Sequence, residues 1–191
     1  MQNADLLVHL KECLRREVMM SGRPFSWSKV IHKAIKCPGR RYLFWWRLAS
    51  YLYQTGRPWR RKLAKRINRK ITLKYGTEIQ LGARIGAGMT ISHHYGIVIN
   101  GSTTIGENFK IRQNTTIGIP GNPEKSKGDL TTILIGDNVT VGASSCIIGN
   151  DLTIGNNVTI GAMSFINKNI PDNCTVYTEK RTTIVFNEKD E

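Results

Sequence analysis

Two adjacent histidines, His93 and His94, are the residues best suited to chemistry in this 191-residue sequence. They lie in TISHHYGIVINGSTTIG (residues 90–106), where most of the other residues are small, β-branched or glycine. A neutral imidazole can accept a proton near neutral pH and act as a general base, but a histidine at a strand edge can equally be an ordinary solvated side chain. The surrounding pattern must separate these two interpretations.

The cysteines do not suggest a second reactive or metal-binding group. Cys13, Cys37, Cys146 and Cys174 are scattered, without a CxxC pair or a spacing that suits zinc. We therefore expect reduced thiols, no disulfide and no metal. No histidine motif accompanies Cys146 or Cys174 to make a nucleophile, and the aliphatic run CIIG predicts that Cys146 lies in the core.

The histidines belong to a region in which aliphatic residues recur every six positions from about residue 76 onward. This period fits neither an α-helix nor a simple alternating strand, but it is typical of a β-solenoid whose aliphatic side chains point into the prism. The period slips by two residues between Ile97 and Ile105 and gains one residue between Ile147 and Ile154. The groups are Ile79, Ile85, Ile91 and Ile97; Ile105, Ile111 and Ile117; Ile135, Val141 and Ile147; and Ile154, Ile160 and Ile166.

Residues that permit tight corners accompany this repeat. The position after the aliphatic residue is usually glycine, and asparagines, which tolerate left-handed backbone angles, recur between hexads. They are Gly86, Gly106, Gly118, Gly136, Gly142, Gly155 and Gly161, and Asn108, Asn138 and Asn157. The stretch GIPGNPEKSKGDLTT (residues 118–132) breaks the repeat, and its glycine, proline and charge predict an extruded loop that folds over a ligand.

The first third of the chain is predicted to be helical and is strongly basic. Residues 1–75 hold 19 of the 28 Lys and Arg but 3 of the 14 Asp and Glu. Such a charge can attract nucleic acid, anionic lipid or an acidic substrate, and charge alone does not choose among them. One amphipathic helix is expected at the N-terminus, and two more in residues 42–56 and 58–76. The apolar stripes are Leu6, Leu10, Leu14 and Val18 in the first helix, and Trp59, Leu63, Ile67 and Ile71 in the last.

Residues 76–185 resemble the hexapeptide-repeat, left-handed β-helix acyltransferases. Within that family, SHHYGIVING followed by IGENFKIRQNTTIG is similar to the serine acetyltransferase branch. The predicted fold is therefore mainly β: a left-handed parallel β-helix preceded by a small α-helical region. We expect a basic helical region at 1–75, the β-helix at 76–185 with an extruded loop at 118–134, and a C-terminal tail at 186–191.

The resemblance implies an active site. Counting back from Gly96 places the branch's catalytic histidine on His93, and the acidic residue fifteen positions earlier is Glu78. Fifteen residues is close to one coil of about 18, so Glu78 is expected beside His93 on the adjacent coil. His93 would take the proton of an acceptor hydroxyl, while Glu78 would fix the imidazole tautomer and stabilise the imidazolium. His94 is expected to be an exposed corner residue, dispensable unless it grips the acceptor.

The same resemblance implies acetyl-coenzyme A as the donor substrate, held by backbone amides along the later coils, with no metal. Basic residues near the end of the β-helix would face the phosphates of the donor. The matching positions for the donor are Gly118, Ala143, Ser144 and Ala162, with Lys168, Lys180 and Arg181 for the phosphates. His94, Tyr95 and Gln113 are candidate contacts to the acceptor.

One departure from the branch bears on the acceptor. Serine acetyltransferases carry an Arg-His pair just before the repeat resumes, whereas alignment on ILIGDNV places Thr131 and Thr132 there. Free serine is therefore disfavoured. The compact, basic and aromatic-rich N-terminus resembles the bacterial group that acts in capsule and other surface-polysaccharide pathways, which predicts O-acetylation of a sugar hydroxyl in the polysaccharide or its precursor. The alternatives are a serine O-acetyltransferase of cysteine biosynthesis and a non-catalytic β-solenoid scaffold that binds a polyanion or membrane.

The resemblance also implies a homotrimer or a multiple of trimers, because the family builds its site between two subunits. Residues 38–75 are expected either to contact an anionic membrane or acidic glycan, or to pack on a neighbouring helix or subunit. Nucleic acid is not expected, because no stacking platform or nucleic-acid motif accompanies the charge. The N-terminus lacks the order of a signal peptide and no apolar stretch is long enough to span a bilayer, so we expect a cytoplasmic protein, peripheral at the inner face of the cell membrane.

Overall fold

The helical region is built on apolar stripes that pack against one another. The computed structural model describes residues 3–120, 132–179 and 181–184. The predicted stripe Leu6, Leu10, Leu14 and Val18 is buried throughout. Within the described chain, the helices are α1 (Asn3–Leu14), a π-helical turn (Arg15–Met19), α2 (Trp27–Lys36), α3 (Pro38–Gln54) and α4 (Pro58–Tyr75). α2 is not among the helices predicted from the sequence, although its apolar residues have the spacing of an amphipathic helix: Trp27, Val30, Ile31, Ala34 and Ile35.

Prolines and a glycine set the ends of the two long helices. Pro38 and Pro58 occupy the first turns of α3 and α4, where a fixed φ suits the helix and the missing N–H has no partner to lose. Gly76 ends α4 in the left-handed conformation, with φ of 59°. The chain therefore turns directly from the basic helix into the first strand.

Short parallel strands follow and form three sheets around a prism. In chain order they are β1 (Thr77–Ile79), β2 (Arg84–Ile85), β3 (Thr90–Ser92), β4 (Ile97–Ile99), β5 (Thr103–Ile105), β6 (Lys110–Arg112), β7 (Thr116–Gly118), β8 (Ile133–Ile135), β9 (Thr140–Val141), β10 (Cys146–Ile148), β11 (Leu152–Ile154), β12 (Thr159–Ile160), β13 (Phe165–Ile166) and β14 (Thr175–Val176). The sheets have the orders β1-β4-β7-β10-β13, β2-β5-β8-β11 and β3-β6-β9-β12-β14. Strands three apart in the chain thus stack on one another, except that β14 stacks on β12, and this confirms the β-helix that the six-residue period predicts.

The hexad side chains fill the prism, with one change of phase. They are buried except for Ile91, which is half-buried. Ile99, and not Ile97, pairs in register with Ile79 and Ile117. Ile97 is also fully buried, so two aliphatic residues of β4 face inward and the sequence period alone does not choose between them.

Neighbouring coils approach so closely that glycine is required after several hexad residues. A Cβ built on Gly106 would lie 2.1 Å from Oδ1 of Asp137 and 2.8 Å from the carbonyl carbon of Gly136. A ladder of asparagine side chains runs up one corner, with Nδ2 to Oδ1 distances of 2.9, 3.0 and 2.8 Å, and all its members have left-handed φ angles. They are Asn108, Asn138, Asn157 and Asn173.

Cys146 lies on the outer surface of β10. Its neighbour Ile147 fills the prism, so Cys146 faces outward and is only half-buried. The prediction that Cys146 lies in the core is therefore wrong. Partial burial raises the pKa of the Cys146 thiol, which favours the protonated form near neutral pH.

The extruded loop and the tail fall mostly outside the described residues. β7 ends at Gly118 and β8 begins at Ile133, on either side of the loop predicted at 118–134. Residues 121–131 of that loop lie outside the described chain, and so does the predicted tail at 186–191.

Side chains from α3 and α4 cover the open end of the β-helix. β1 is an end strand, so the carbonyls on its outer edge need donors from elsewhere. The hydroxyl of Tyr42 donates to the carbonyl of Thr77 at 3.3 Å, and the indole N–H of Trp46 donates to the carbonyl of Ile79 at 3.1 Å. Asn68 of α4 donates to the same Ile79 carbonyl at 3.2 Å. The helices thereby act as the cap that a solenoid needs at its terminus.

A buried ion pair joins the same helices to the first coil. Arg47 of α3 and Glu17 of the π-helical turn are each 4% exposed and meet in a two-pronged contact of 2.9 and 2.6 Å. Burial opposes the charge of Arg47, but Glu17 outweighs it and raises the pKa of the guanidinium. The other bonds of the pair reach the backbone: Arg47 donates to the carbonyls of Ile85 and Gly86, and Glu17 accepts from the N–H groups of Gly88 and Met89. Helices and β-helix consequently share one hydrophobic core.

Candidate active site

The two histidines are an insertion in a corner of the first coil. Before the corner, Ser92 pairs with Arg112, twenty residues further on. After it, Gly96 aligns with Asn114, eighteen residues further on, because the N–H of Asn114 donates to the carbonyl of Tyr95 at 3.0 Å. This corner therefore holds two residues more than the corner stacked on it, and those residues lie between Ser92 and Tyr95. The slip in the repeat falls at His93 and His94, not after Ile97.

The backbone of this corner is in an unusual conformation. His93 has φ of 60°, as other corner residues of this β-helix do, among them Ser144 and Met163 at 58°, whereas Tyr95 has φ of 105°, which side chains other than glycine rarely adopt. Gly96 follows with φ of 67°, and a Cβ at this position would lie 2.4 Å from Oδ1 of Asn114. Non-glycine residues in such conformations cluster at functional sites, where the surrounding structure holds them.

His93 is presented to solvent. Its side chain is exposed, and among the described residues no hydrogen bond, ion pair or ring contact involves it. The residue is therefore accessible from outside the protomer. An imidazole placed in this way can bind a hydroxyl or a carboxylate that comes from a substrate or from a second subunit.

His94 is held by the helical cap. Its ring contacts the rings of Tyr42 of α3 and Tyr75 of α4, with centroid distances of 5.1 and 5.5 Å. Its Nε2 lies 3.3 Å from the carbonyl of Gly39, and Nδ1 is buried without a partner in the described chain. Burial lowers the pKa of His94, with the Gly39 carbonyl acting in the opposite direction. The expectation of an exposed corner residue is therefore wrong for His94.

Tyr42 and Tyr75 are site residues that the sequence patterns did not reveal. The aromatic richness of residues 42–53 is visible in the sequence, but it does not show which ring faces a strand more than fifty residues away. Tyr42 also contacts Tyr75 edge to face, at 5.5 Å between centroids. The two tyrosines and His94 form one aromatic cluster at the base of the corner.

Glu78 lies in the middle of β1 with an exposed side chain. The corner passes close to the start of this strand, because Gly96 N–H donates to the Gly76 carbonyl at 2.7 Å. The recorded partner of the Glu78 carboxylate is Nε2 of Gln80, at 3.5 Å. Between Glu78 and His93, both within the described chain, the structure has no hydrogen bond. The pairing of these two residues stays a prediction.

Several predicted binding residues stack in one column above the histidine corner. The N–H of Ser144 donates to the carbonyl of Gln113 at 3.0 Å, and the N–H of Met163 donates to that of Ala143 at 2.7 Å. Equivalent corners thus lie one above another on the same edge of the prism. In chain order this column contains Tyr95, Gln113, Ala143 and Ala162, with Gly96, Asn114, Ser144 and Met163 beside them.

The remaining predicted positions are less closely grouped. Gly118 is the last residue of β7 and pairs with Ile148, at the far end of the sheet from the column. Lys168 and Arg181 are exposed, and Lys180 lies outside the described residues. Gln113 is half-buried, and its Oε1 is enclosed without a donor in the part of the chain that the structure describes. Because that oxygen is enclosed, a ligand or a neighbouring subunit reaches it only after the Gln113 side chain turns outward.

An open groove of about 540 Å³ lies beside Glu78, between α4 and the first coil. Lys65 and Arg69 of α4 line it opposite Glu78 and Gln80. The groove therefore carries two cations and one carboxylate, a combination that can bind a polar or anionic acceptor.

Comparison with known proteins supports the likeness of sequence and fold. The chain is 38% identical over 139 residues to a serine acetyltransferase of Synechococcus elongatus, covering 73% of this chain and 54% of that relative. It is 42% identical over 106 residues to the putative colanic acid biosynthesis acetyltransferase WcaB of Escherichia coli K12, covering 56% of this chain and 62% of that relative. No protein-family model matches the chain.

Solved structures of serine acetyltransferases have a similar fold. Serine acetyltransferase isoform 3 of Entamoeba histolytica, in complex with cysteine, superposes with a TM-score of 0.74 at 25% identity, over 97% of this chain and 64% of that one. The chain thus spans between about half and two thirds of the length of these relatives.

A three-sided parallel β-helix on a six-residue repeat, capped by helices and carrying a histidine corner, defines the hexapeptide-repeat class of acyltransferases with a left-handed β-helix. The chain resembles this class in sequence and in fold. Within it, the matches lie in the serine acetyltransferase-like branch, which confirms the family and fold predicted from the sequence.

Proposed function

We propose that the chain transfers the acetyl group of acetyl-coenzyme A to a sugar hydroxyl of a bacterial surface polysaccharide or its precursor. The observation that carries this proposal is the histidine corner. It presents His93 exposed and in a left-handed conformation, at the foot of the column that contains Gln113, Ala143 and Ala162.

The reaction needs one general base and no covalent bond between the acetyl group and the enzyme. The imidazole of His93 takes the proton from the acceptor hydroxyl as its oxygen attacks the thioester carbonyl. The tetrahedral intermediate collapses to the acetyl ester, the C–S bond breaks, and the imidazolium returns the proton to the departing thiolate. Glu78 would orient the ring and stabilise the imidazolium, either in the same protomer after closure or from a neighbouring one.

The donor would extend along the column of stacked corners. Successive corners offer small residues and backbone amides at regular spacing, which suits the extended pantetheine arm of the donor. Gln113 lies in this column but keeps its proposed role as a contact to the acceptor, which it can make once its enclosed Oε1 turns outward. Lys168, Lys180 and Arg181 are proposed for the phosphates.

The choice of a sugar acceptor is supported by the residues at the resumption of the repeat. Thr132 is half-buried, and its N–H donates to Oδ1 of Asp151 at 3.3 Å. Neither the Thr132 side chain nor the Asp151 carboxylate carries a positive charge that would attract the carboxylate of a free amino acid. Thr131 lies outside the described residues. The alternative, serine O-acetylation in cysteine biosynthesis, is supported by the relatives named serine acetyltransferase.

The test is thiol release from acetyl-coenzyme A in the presence of de-O-acetylated surface oligosaccharides or L-serine. We expect turnover with an oligosaccharide, ester formation detected by mass spectrometry, and slow reaction with serine. Serine turnover at ordinary enzyme rates of about 1–10³ s⁻¹ would overturn the sugar assignment. Absence of turnover with every acceptor, together with binding of a polyanion, would favour the scaffold alternative.

We also propose that the active form is a trimer or a multiple of trimers. Near the upper end of the column, Met163 and Phe165 are 59% and 54% exposed, and Tyr177 is exposed beside them. Such an apolar edge, next to a candidate site that is exposed on one side of the protomer, is suited to burial against a second copy of this chain. Light scattering should give three protomers or a multiple, and an active monomer would contradict the proposal.

The outer face of α4 supports a peripheral location on an anionic membrane, at the cytoplasmic side. This helix contains no acidic residue, and it leaves Trp59, Leu63 and Leu73 exposed among its lysines and arginines. A basic helix with exposed Trp and Leu can lie in the headgroup region. Among the described residues, the helices are too short or too polar to span a bilayer.

A further inference from the structure

The two inserted histidines have opposite environments. His93 is exposed and makes no recorded contact, whereas His94 is enclosed by two tyrosine rings and the Gly39 carbonyl. One residue of the insertion is therefore fastened to the helical cap, and the residue before it is presented outward.

We propose that His94 is a positioning residue, which ties the inserted corner to α3 and α4 and so fixes where His93 is presented. This inference rests on the proposed role of His93 as general base. It assigns to the helical region a part in catalysis that does not depend on its charge.

The corner needs such a tie because its backbone is strained. The φ of 105° at Tyr95 is unfavourable for a residue other than glycine, and the two-residue insertion lengthens this corner, so the corner requires compensating contacts. The backbone supplies a good hydrogen bond from Gly96 to Gly76 at 2.7 Å, and a long one from the Tyr95 N–H to Thr77 Oγ1 at 3.5 Å. The His94 ring adds its packing on Tyr42 and Tyr75 and its hydrogen bond to the Gly39 carbonyl, and these contacts attach the inserted pair to the cap.

The hydrogen bonding of His94 also argues against a role as base. In the neutral ring, the nitrogen that faces the Gly39 carbonyl must carry the proton, because a carbonyl only accepts. The lone pair is then on Nδ1, which is buried. An acceptor hydroxyl cannot reach that nitrogen, whereas His93 is an exposed residue.

The test compares His94→Ala, which removes the ring, with His94→Phe, which keeps an aromatic ring between the tyrosines. His32→Ala is the matched control, since His32 is an exposed residue of α2 away from the corner. Three quantities are measured for each: hydrogen exchange of a peptide that spans residues 92–98, acetyl-coenzyme A affinity, and kcat and KM for thiol release with the acceptor that the parent uses fastest.

We expect His94→Ala to speed exchange in residues 92–98 about tenfold and to lower kcat about 10–100-fold, because a displacement of about 1 Å can cost that much. Donor affinity should stay within about twofold, since donor contacts lie mainly higher in the column. His94→Phe should recover both exchange and kcat to within about threefold of the parent, and His32→Ala should match the parent.

Two results would overturn the inference. One is a His94→Ala protein with parental exchange and kcat; the other is a His94→Phe protein as impaired as His94→Ala, which would show that an imidazole nitrogen itself is needed. The proposed function fails separately, when His93→Ala keeps full turnover. The exchange measurement reports on the tie without any acceptor and so distinguishes the two failures.

Discussion

The phenol ring of Tyr42 lies against the imidazole of His94, with 5.1 Å between ring centroids, while its hydroxyl donates to the Thr77 carbonyl at 3.3 Å. A single side chain of α3 thus touches both the corner that carries His93 and the strand that carries Glu78. Burial raises the pKa of Tyr42, and the charge of Glu78 acts in the same direction, so the hydroxyl remains a donor. The geometry of the candidate site therefore depends on the helical cap.

The Arg47–Glu17 pair should be critical for attachment of that cap. Arg47→Met leaves a carboxylate buried without its cation, which costs about 3–5 kcal/mol of unfolding free energy. Glu17→Gln added to Arg47→Met removes the stranded charge yet still offers an amide oxygen to the N–H groups of Gly88 and Met89. The double variant should recover a substantial part of the loss, measured by urea unfolding at fixed protein concentration.

The matched control is Arg15→Met. Arg15 pairs with Glu12 at 2.7 Å, but both side chains are partly exposed, at 28% and 40%. Exposed pairs of this kind contribute about 0–1 kcal/mol. A loss at Arg15 equal to that at Arg47 would contradict the argument from burial.

Stability should fall on the acid side partly through His94. Because burial lowers the folded-state pKa of His94, the unfolded chain binds more protons as pH falls below about 6.5, and stability decreases through the lowered value. The groups around the ring are the phenols of Tyr42 and Tyr75, the Gly39 carbonyl and, against Tyr75, the ammonium of Lys74.

Melting temperatures between about pH 8 and pH 5 test this expectation. His94→Phe should flatten the decline in part, because the pKa of His9 is also lowered by burial and contributes with the same sign. If the melting temperature of His94→Phe falls with pH as steeply as that of the parent, His94 does not contribute to the loss of stability. The contribution of His9 is measured in the same way with His9→Phe.

The sequence predicts the β-helix well because each coil repeats the same demand for an aliphatic residue inside and a small residue at the corner. It misplaces the insertion because Ile97 and Ile99 both suit the interior, so the period continues through His93 and His94 without a visible break. The environment of His94 depends on Gly39 and Tyr42 of α3 and on Tyr75 of α4. Contacts of that range leave no local pattern in a single sequence.

The outer face of α4 should bind anionic vesicles. Each basic residue near an anionic surface contributes about 1 kcal/mol, so Arg66→Glu with Lys70→Glu should weaken binding to phosphatidylglycerol vesicles by at least about tenfold. Trp59→Ala should weaken it as well, because Trp59 is 59% exposed and available to the headgroup region. Flotation at low and high salt measures both effects.

Trp27→Ala is the matched control, since Trp27 is also exposed, at 42%, but belongs to α2. Equal losses for Trp27→Ala and Trp59→Ala would move the contact away from α4. Absence of flotation at low salt, or equal binding to neutral and anionic vesicles, would contradict the membrane proposal. The outer face of α4 would then be assigned to a neighbouring subunit or a glycan.

The general-base assignment predicts a specific pattern of kinetic losses. His93→Ala should lower kcat about 10²–10⁴-fold, equivalent to about 3–5 kcal/mol of barrier, while calorimetric affinity for acetyl-coenzyme A stays near the parental value. Glu78→Gln keeps the shape but no longer stabilises an imidazolium, so its loss should be substantial but smaller.

The double variant decides whether these two residues act together. If Glu78 works through His93, adding Glu78→Gln to His93→Ala should cost little more than His93→Ala alone, because groups that act as a unit are not additive. Gln80→Ala provides the comparison, since Gln80 contacts the Glu78 carboxylate at 3.5 Å and should cause a modest loss. Losses of His93→Ala and Glu78→Gln that multiply in full would show that Glu78 acts on the acceptor independently. In that case the groove that Glu78 shares with Lys65 and Arg69 becomes the acceptor site, and the imidazole of His93 must be oriented by another carboxylate or by water.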